Sequence, residues 1–180
     1  MNLDNEYQSI IKELSSGKRV QKKISPSDIE KICQTWKSSL EANDLTSLRK
    51  VLCIFDHTKS TSKKVEELLI KTLNKIDDSE LLALCLGTAH FHVIEHNALE
   101  GNRPPYNFVE TLKKIIDSKR VSKEPELLEW SLRTIDLLGG QSRIFKDRVL
   151  ALRSPIKSLF NKQHRTCFQL ISYLEEKWQQ

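Results

Sequence analysis

Apolar residues recur every three or four positions along most of this chain, the spacing that gathers them on one face of a helix. In PSDIEKICQTWKSSLEA, Ile29, Ile32, Cys33, Trp36 and Leu40 share such a face. Leu45, Leu48, Leu52 and Phe55 form the next stripe, and Val65, Leu68, Leu69, Thr72, Leu73 and Ile76 the one after. The spacing predicts helices over 4–14, 27–41, 44–57, 61–76, 79–98, 105–119, 124–138, 142–153, 155–161 and 164–178. No stretch alternates apolar and polar residues as a half-buried strand would. The breaks carry helix punctuation. Ser25-Pro26-Ser27-Asp28, Asp77-Asp78-Ser79 and Ser154-Pro155 are starts, KSTS at 59–62 is a turn ending in an N-cap, and Gly139-Gly140 is a stop.

The stripes also repeat. DLTSLRKVLCIFDHT, DSELLALCLGTAHFHVI, EPELLEWSLRTIDLLGG and KQHRTCFQLISYLEEKW each open polar and continue apolar at helical spacing, with another helix between successive ones. Their starts, near Asp44, Asp78, Glu124 and Lys162, are separated by a loose period of about 40 residues. EPELLEWSLRTIDLLGG resembles the second half of the HEAT consensus: an acidic-proline turn, an apolar helix with small residues, and a Leu-Gly end. The resemblance to HEAT and armadillo proteins implies an all-α fold, a right-handed solenoid-like stack of antiparallel helix pairs with a long concave side. The alternative is an irregular helical bundle. Residues 1–24 are expected to form an N-terminal helix and basic linker, and 25–180 a single helical-repeat domain.

Composition narrows the setting. Glycine is scarce, aromatic residues make up 7% and charged residues 29%, which suits helices. The start, MNLDNEYQSIIKEL, lacks the basic-then-apolar order of a secretory leader, and no apolar run approaches the roughly 20 residues that cross a bilayer. Cys33, Cys53, Cys85 and Cys167 are scattered among apolar neighbours, so they read as buried thiols in a reducing, cytoplasmic compartment. Trp36, Trp130 and Trp178 read as core anchors and not stacking platforms, with Trp178 the most exposed of the three.

AHFHVIEHN, residues 89–97, holds three of the five histidines and contains the HxxEH pattern of inverted zinc peptidases as His92, Glu95 and His96. On an ideal helix His92 and His96 share a face and His90 lies about 160° from His92, so three histidines cannot meet at one ion. The peptidase pattern also needs a distant acidic ligand and strands to present substrate, and the sequence offers no strands. The expected role of His92 and His96 is therefore at a helix seam, hydrogen-bonded, with no metal and no cofactor assigned. Phosphate-cradling glycine loops and nucleophile elbows are missing from the sequence.

The net charge of +5 is concentrated. SSGKRVQKKI carries Lys18, Arg19, Lys22 and Lys23 without an acid, and SRIFKDRVLALRSPIKSLFNKQHR carries seven Lys or Arg against Asp147 alone. On a helix over 142–153, Phe145, Val149 and Leu152 point inward and a basic flank remains. Arg143, Lys146, Arg153, Lys157, Lys162 and Arg165 form the expected partner-binding ridge. The leading expectation is a non-enzymatic protein–protein interaction module using its concave face or this ridge, with an unidentified protein partner, an acidic segment being what the ridge itself would suit. The runner-up is a nucleic-acid-binding helical-repeat protein that contacts phosphates. A metal-dependent hydrolase at His92, Glu95 and His96 is the remote third reading. No membrane role is expected.

Overall fold

The structure, a computed structural model, describes residues 2–153 and 162–179. It is all-helical, with no strand among the described residues. The chain divides into two compact units, Met1–Gly101 and Asn102–Gln180. That division falls inside the span 25–180 read as one domain from the sequence.

In the first unit α1 (Leu3–Ser15), α2 (Pro26–Ala42), α3 (Leu45–Asp56) and α4 (Lys63–Lys75) follow in order. Next come α5 (Ser79–Ala89), a π-helical turn (His90–Glu95) and α6 (His96–Leu99). The sequence punctuation operates as expected at most starts. Ser25 accepts from the Asp28 N–H with Pro26 in the first turn, Asp44 from Ser47, and Asp78 from Leu81. Ser62 is an exception, since its side chain makes no cap bond to α4. Asn43 closes α2 in the left-handed region, at φ 55°, where a short polar side chain is tolerated.

Every second helix of this unit runs parallel to its neighbour. On α2 and α4, Lys64 Nζ reaches Glu30, Trp36 Nε1–H donates to Thr72 Oγ1, and Lys75 Nζ donates to the Leu40 carbonyl. Those partners lie 34, 36 and 35 residues apart, so both helices point the same way. Arg49 with Glu80 and the Phe55 carbonyl with His92 order α3 and α5 likewise. Asp4 with Lys50, and Glu13 with Lys22 beside His57, do the same for α1 and α3. Between them lies the main core, with Trp36, Leu48, Leu52, Phe55, Leu69, Leu81 and Leu86 fully buried. A buried aromatic of this size contributes several kcal/mol, roughly 25 cal/mol per Å2 removed from water.

The segment after α1 is tied down along its length. Lys22 N–H donates to the His57 carbonyl at 2.7 Å, Thr58 Oγ1–H to the Lys22 carbonyl at 2.8 Å, and Ile24 N–H to Ser60 Oγ at 3.1 Å. Val20 and Ile24 are buried, and Lys22 Nζ pairs with Glu13. Its basic residues therefore include one that is spent internally.

The second unit holds α7 (Tyr106–Asp117), α8 (Pro125–Leu137), a 3-10 segment (Gly139–Phe145), α9 (Lys146–Ala151) and α10 (Lys162–Gln179). The helix expected at 155–161 lies outside the described residues. Here α8 and α10 are the parallel neighbours. Cys167 Sγ–H donates to the Pro125 carbonyl, and Lys177 Nζ to Asp136 Oδ1 at 2.6 Å, pairings 42 and 41 residues apart. Gly139 takes φ +57°, the left-handed stop that the Gly-Gly pair announces. Trp178 is a core anchor as expected: it is buried, 6% exposed, and donates from Nε1 to Ser142 Oγ at 2.8 Å. The sequence places it near the end of the last stripe, but Ser142, its partner, is 36 residues away and invisible to local periodicity.

All four cysteines are free and buried. Burial pushes the Cys33, Cys53 and Cys167 thiols up to about 11 and Cys85 higher still, so they behave as small apolar groups.

Candidate interaction surface

The expected basic ridge starts from the 3-10 segment and α9. Ser142 and Phe145 point inward there, three residues apart as a 3-10 turn requires, and leave Arg143 exposed and Lys146 half-buried beside them. Val149 continues the buried stripe, while Leu152 is only half-buried. Along α10, Cys167, Ile171, Leu174 and Trp178 make the inward stripe, and Lys162 and Arg165 stand exposed on its first turn.

The structure does not join these positions into one ridge. Arg153 is held inside the unit. Its Nη2 donates to Glu175 at 2.6 Å and to Ser172 Oγ at 3.0 Å, and the guanidinium lies 5.4 Å from the Phe168 ring centre. Its charge is neutralised where it stands, and its planar fork suits that carboxylate. Lys157 lies outside the described residues. Arg148, not selected from the sequence, pairs with Asp117 at 3.1 Å and donates to the Asp117 carbonyl.

Four cations of the set remain without an acidic partner among the described residues: Arg143, Lys146, Lys162 and Arg165. They form two pairs at opposite ends of α10. The Ser142–Trp178 bond fixes the first pair at the helix's C-terminal end. Lys162 and Arg165 begin the helix. Thirteen residues from Arg165 to Trp178 at 1.5 Å each make a separation of about 20 Å. The pairs are thus two anchor points, too far apart to hold one small anion.

The histidine stretch resolves differently from its ideal-helix placement. Residues His90–Glu95 form a π turn, which closes from i to i+5, so residues four apart no longer stack on one face. His92 is buried at 1%, packed edge-on against Phe55 and Phe91. Its Nε2 lies 2.8 Å from the Phe55 carbonyl and so carries the proton, which leaves Nδ1 a bare acceptor with no partner. Burial, above all, lowers the His92 pKa. His96 instead faces Glu100, 3.4 Å away at the surface, and Glu95 is exposed. The HxxEH members are therefore not brought together. Among the described residues no three His, Cys, Asp or Glu side chains are placed to hold a metal ion. His92 does occupy a seam between helices, hydrogen-bonded as expected.

Asn97 has a role that its polarity alone does not announce. It donates to the buried Glu66 at 2.5 Å and to the Val93 carbonyl at 2.7 Å, while Lys63 pairs with the other Glu66 oxygen. This network ties α4 to the helix that leaves the π turn. No described helix is long and apolar enough to cross a membrane.

Comparison with protein-family models, with curated proteins and with solved structures finds no match to this chain.

Proposed function

We propose that this protein is a non-enzymatic interaction module, a short right-handed helical-repeat scaffold of the HEAT and armadillo kind, that holds an acidic protein segment. The observation that carries this reading is the parallel packing of alternate helices, with partners 34 to 36 residues apart on α2 and α4 and 41 to 42 apart on α8 and α10. A chain that returns to the same direction once per helix pair stacks its pairs against nearest neighbours, as repeat proteins do. Such scaffolds offer exposed helix surfaces for partners. The two cation pairs, which have no acidic partner among the described residues, give this one its chemistry. An extended segment covers about 20 Å with six residues at about 3.3 Å each, so one short acidic stretch reaches both Arg143/Lys146 and Lys162/Arg165. The setting included in the reading is cytoplasmic, where four buried thiols stay reduced.

The test is fluorescence anisotropy with a labelled oligoglutamate of about twelve residues, against the protein and two double variants, R143Q/K146Q and K162Q/R165Q. Binding at low salt that weakens in each variant supports the reading. No binding, or binding indifferent to both variants, overturns it. A labelled DNA or RNA duplex is titrated in parallel. Tighter binding of the duplex, with a steep fall on added salt and loss in the same variants, replaces the acidic protein with nucleic acid as the partner.

A further inference from the structure

A hollow of about 330 Å3 opens in the first unit, where the segment after α1 passes the C-terminal end of α3 and the π turn. It is independent of the basic pairs above. Two departures from local helix preference meet at it. Gly87, which lines the hollow, sits inside α5, where glycine costs roughly 1 kcal/mol relative to alanine. The π turn that follows is itself a rare conformation, concentrated at functional sites, and it contributes Glu95 to the same wall. Sequences break local rules mainly where function asks for it.

The hollow is lined by charges of both signs. Arg19 and Lys59 supply two cations, Asp56 and Glu95 two carboxylates. None of the four closes an ion pair with an oppositely charged Arg, Lys, Asp or Glu among the described residues. Lys59 instead lies 5.4 Å from the centre of the Phe91 ring. Among the described residues Asp56 closes an ion pair only with His57, whose Nδ1 lies at 3.9 Å. That nitrogen is 2.8 Å from the Cys53 carbonyl and donates its proton there. Partial desolvation of Asp56 raises its pKa, as expected for a carboxylate short of a cation.

A simple anion would meet Asp56 and Glu95, and a simple cation would meet Arg19 and Lys59. A ligand carrying both signs satisfies all four. The volume sits at the lower end of the roughly 300–1,000 Å3 typical of small-molecule sites. We propose that this hollow binds a small zwitterion of the α-amino-acid or dipeptide class, its ammonium held by Asp56 and Glu95 and its carboxylate by Arg19 and Lys59.

The experiment is a thermal-shift screen of the full chain against the free amino acids and a set of glycyl dipeptides at millimolar concentration, followed by calorimetric titration of the best. The expected result is at least one ligand that raises the Tm and binds with measurable heat. R19Q and E95Q, both at exposed positions, should leave the Tm of the free protein unchanged and weaken binding by roughly tenfold to a hundredfold, the loss of one charge-assisted contact. The N-acetylated and C-amidated forms of the same ligand should each bind more weakly by a similar factor. No shift with any member of either set overturns the proposal. So does equal binding of the acetylated or amidated forms, or of the R19Q and E95Q variants.

Discussion

Each unit buries a tryptophan whose indole N–H is given to a hydroxyl 36 residues away, Trp36 to Thr72 in the first and Trp178 to Ser142 in the second. The surroundings differ. Trp36 is wholly buried, packs against Phe55, and joins two helices in mid-course. Trp178 stands one residue from the end of α10 and meets a 3-10 segment. The first unit passes from α2 to α3 through only Asn43 and Asp44. The second inserts Gly139–Phe145 between α8 and α9, and its parallel helices pair at a longer separation. The contrast lies in these anchors and not in charge: Lys22, Arg49, Lys50, Lys63 and Lys64 of the first unit and Arg133, Arg148, Arg153 and Lys177 of the second each pair with a carboxylate.

The largest test of this contrast is to remove each indole. Trp36→Ala should cost about 3–5 kcal/mol, the range for truncating a fully buried aromatic. Trp178→Ala should cost less, roughly 2 kcal/mol, because a side chain in the last turn of its helix leaves a gap that the frayed turn relaxes around. Urea unfolding followed by circular dichroism measures both. Equal losses would remove the distinction between a mid-helix and a terminal anchor.

Asn97→Ala comes next. It strips one partner from the buried Glu66 carboxylate, which leaves a charged group under-satisfied at a cost of about 1–3 kcal/mol. Asn97→Ala in a Glu66→Gln background should cost less, since the stranded charge is gone. Additive losses would show that the two side chains do not act together.

His92 adds a pH dependence to the first unit. Its pKa is lowered in the folded state by burial, so the unfolded chain binds the proton first as the pH falls. Stability is therefore full above the ordinary histidine pKa near 6.5 and declines below it, by at most about 1.4 kcal/mol per pH unit. The urea midpoint of the wild type should drop between pH 7.5 and 5.5 by more than that of His92→Leu. An equal drop in both would assign the acid sensitivity elsewhere.

The smallest effects separate two ion pairs. Arg49→Ala breaks an exposed pair with Glu80 and should change stability by less than about 0.5 kcal/mol. Arg153→Ala loses Glu175, Ser172 and the Phe168 ring in a part-buried site and should cost about 1 kcal/mol. Should the two losses be equal, Arg153 is solvated and returns to the candidate surface.

These elements also mark what periodicity conveys. Helices α1 to α4, α7 and α8 lie within two residues of their predicted spans because capping residues and apolar stripes are local signals, whereas the helix predicted over 79–98 is divided into α5, the π turn and α6. The seam role of His92 was legible as an apolar-face histidine. Its separation from His96 was not, because an ideal α-helix does not show the π turn, and the partners of His92 and Asn97, Phe55 and Glu66, lie 37 and 31 residues away. The pairing of Arg153 and Arg148 was hidden for a similar reason. A run of basic residues shows where charge lies along the chain, but Glu175 and Asp117, which neutralise Arg153 and Arg148, lie 22 and 31 residues away. The hollow beside Arg19 and Glu95 assembles four segments and has no sequence signature at all.

The parallel register of alternate helices is the claim on which the repeat reading stands. Spin-label distances in the second unit test it most directly, with one label on α8 at Glu126 and the other on α10 at Arg165 or at Glu176. Parallel packing predicts the 126–165 distance to be the shorter, and the 126–176 distance to be longer by up to about 16 Å, the rise of eleven residues. The reverse order would make α8 and α10 antiparallel and would contradict the stacked-repeat account.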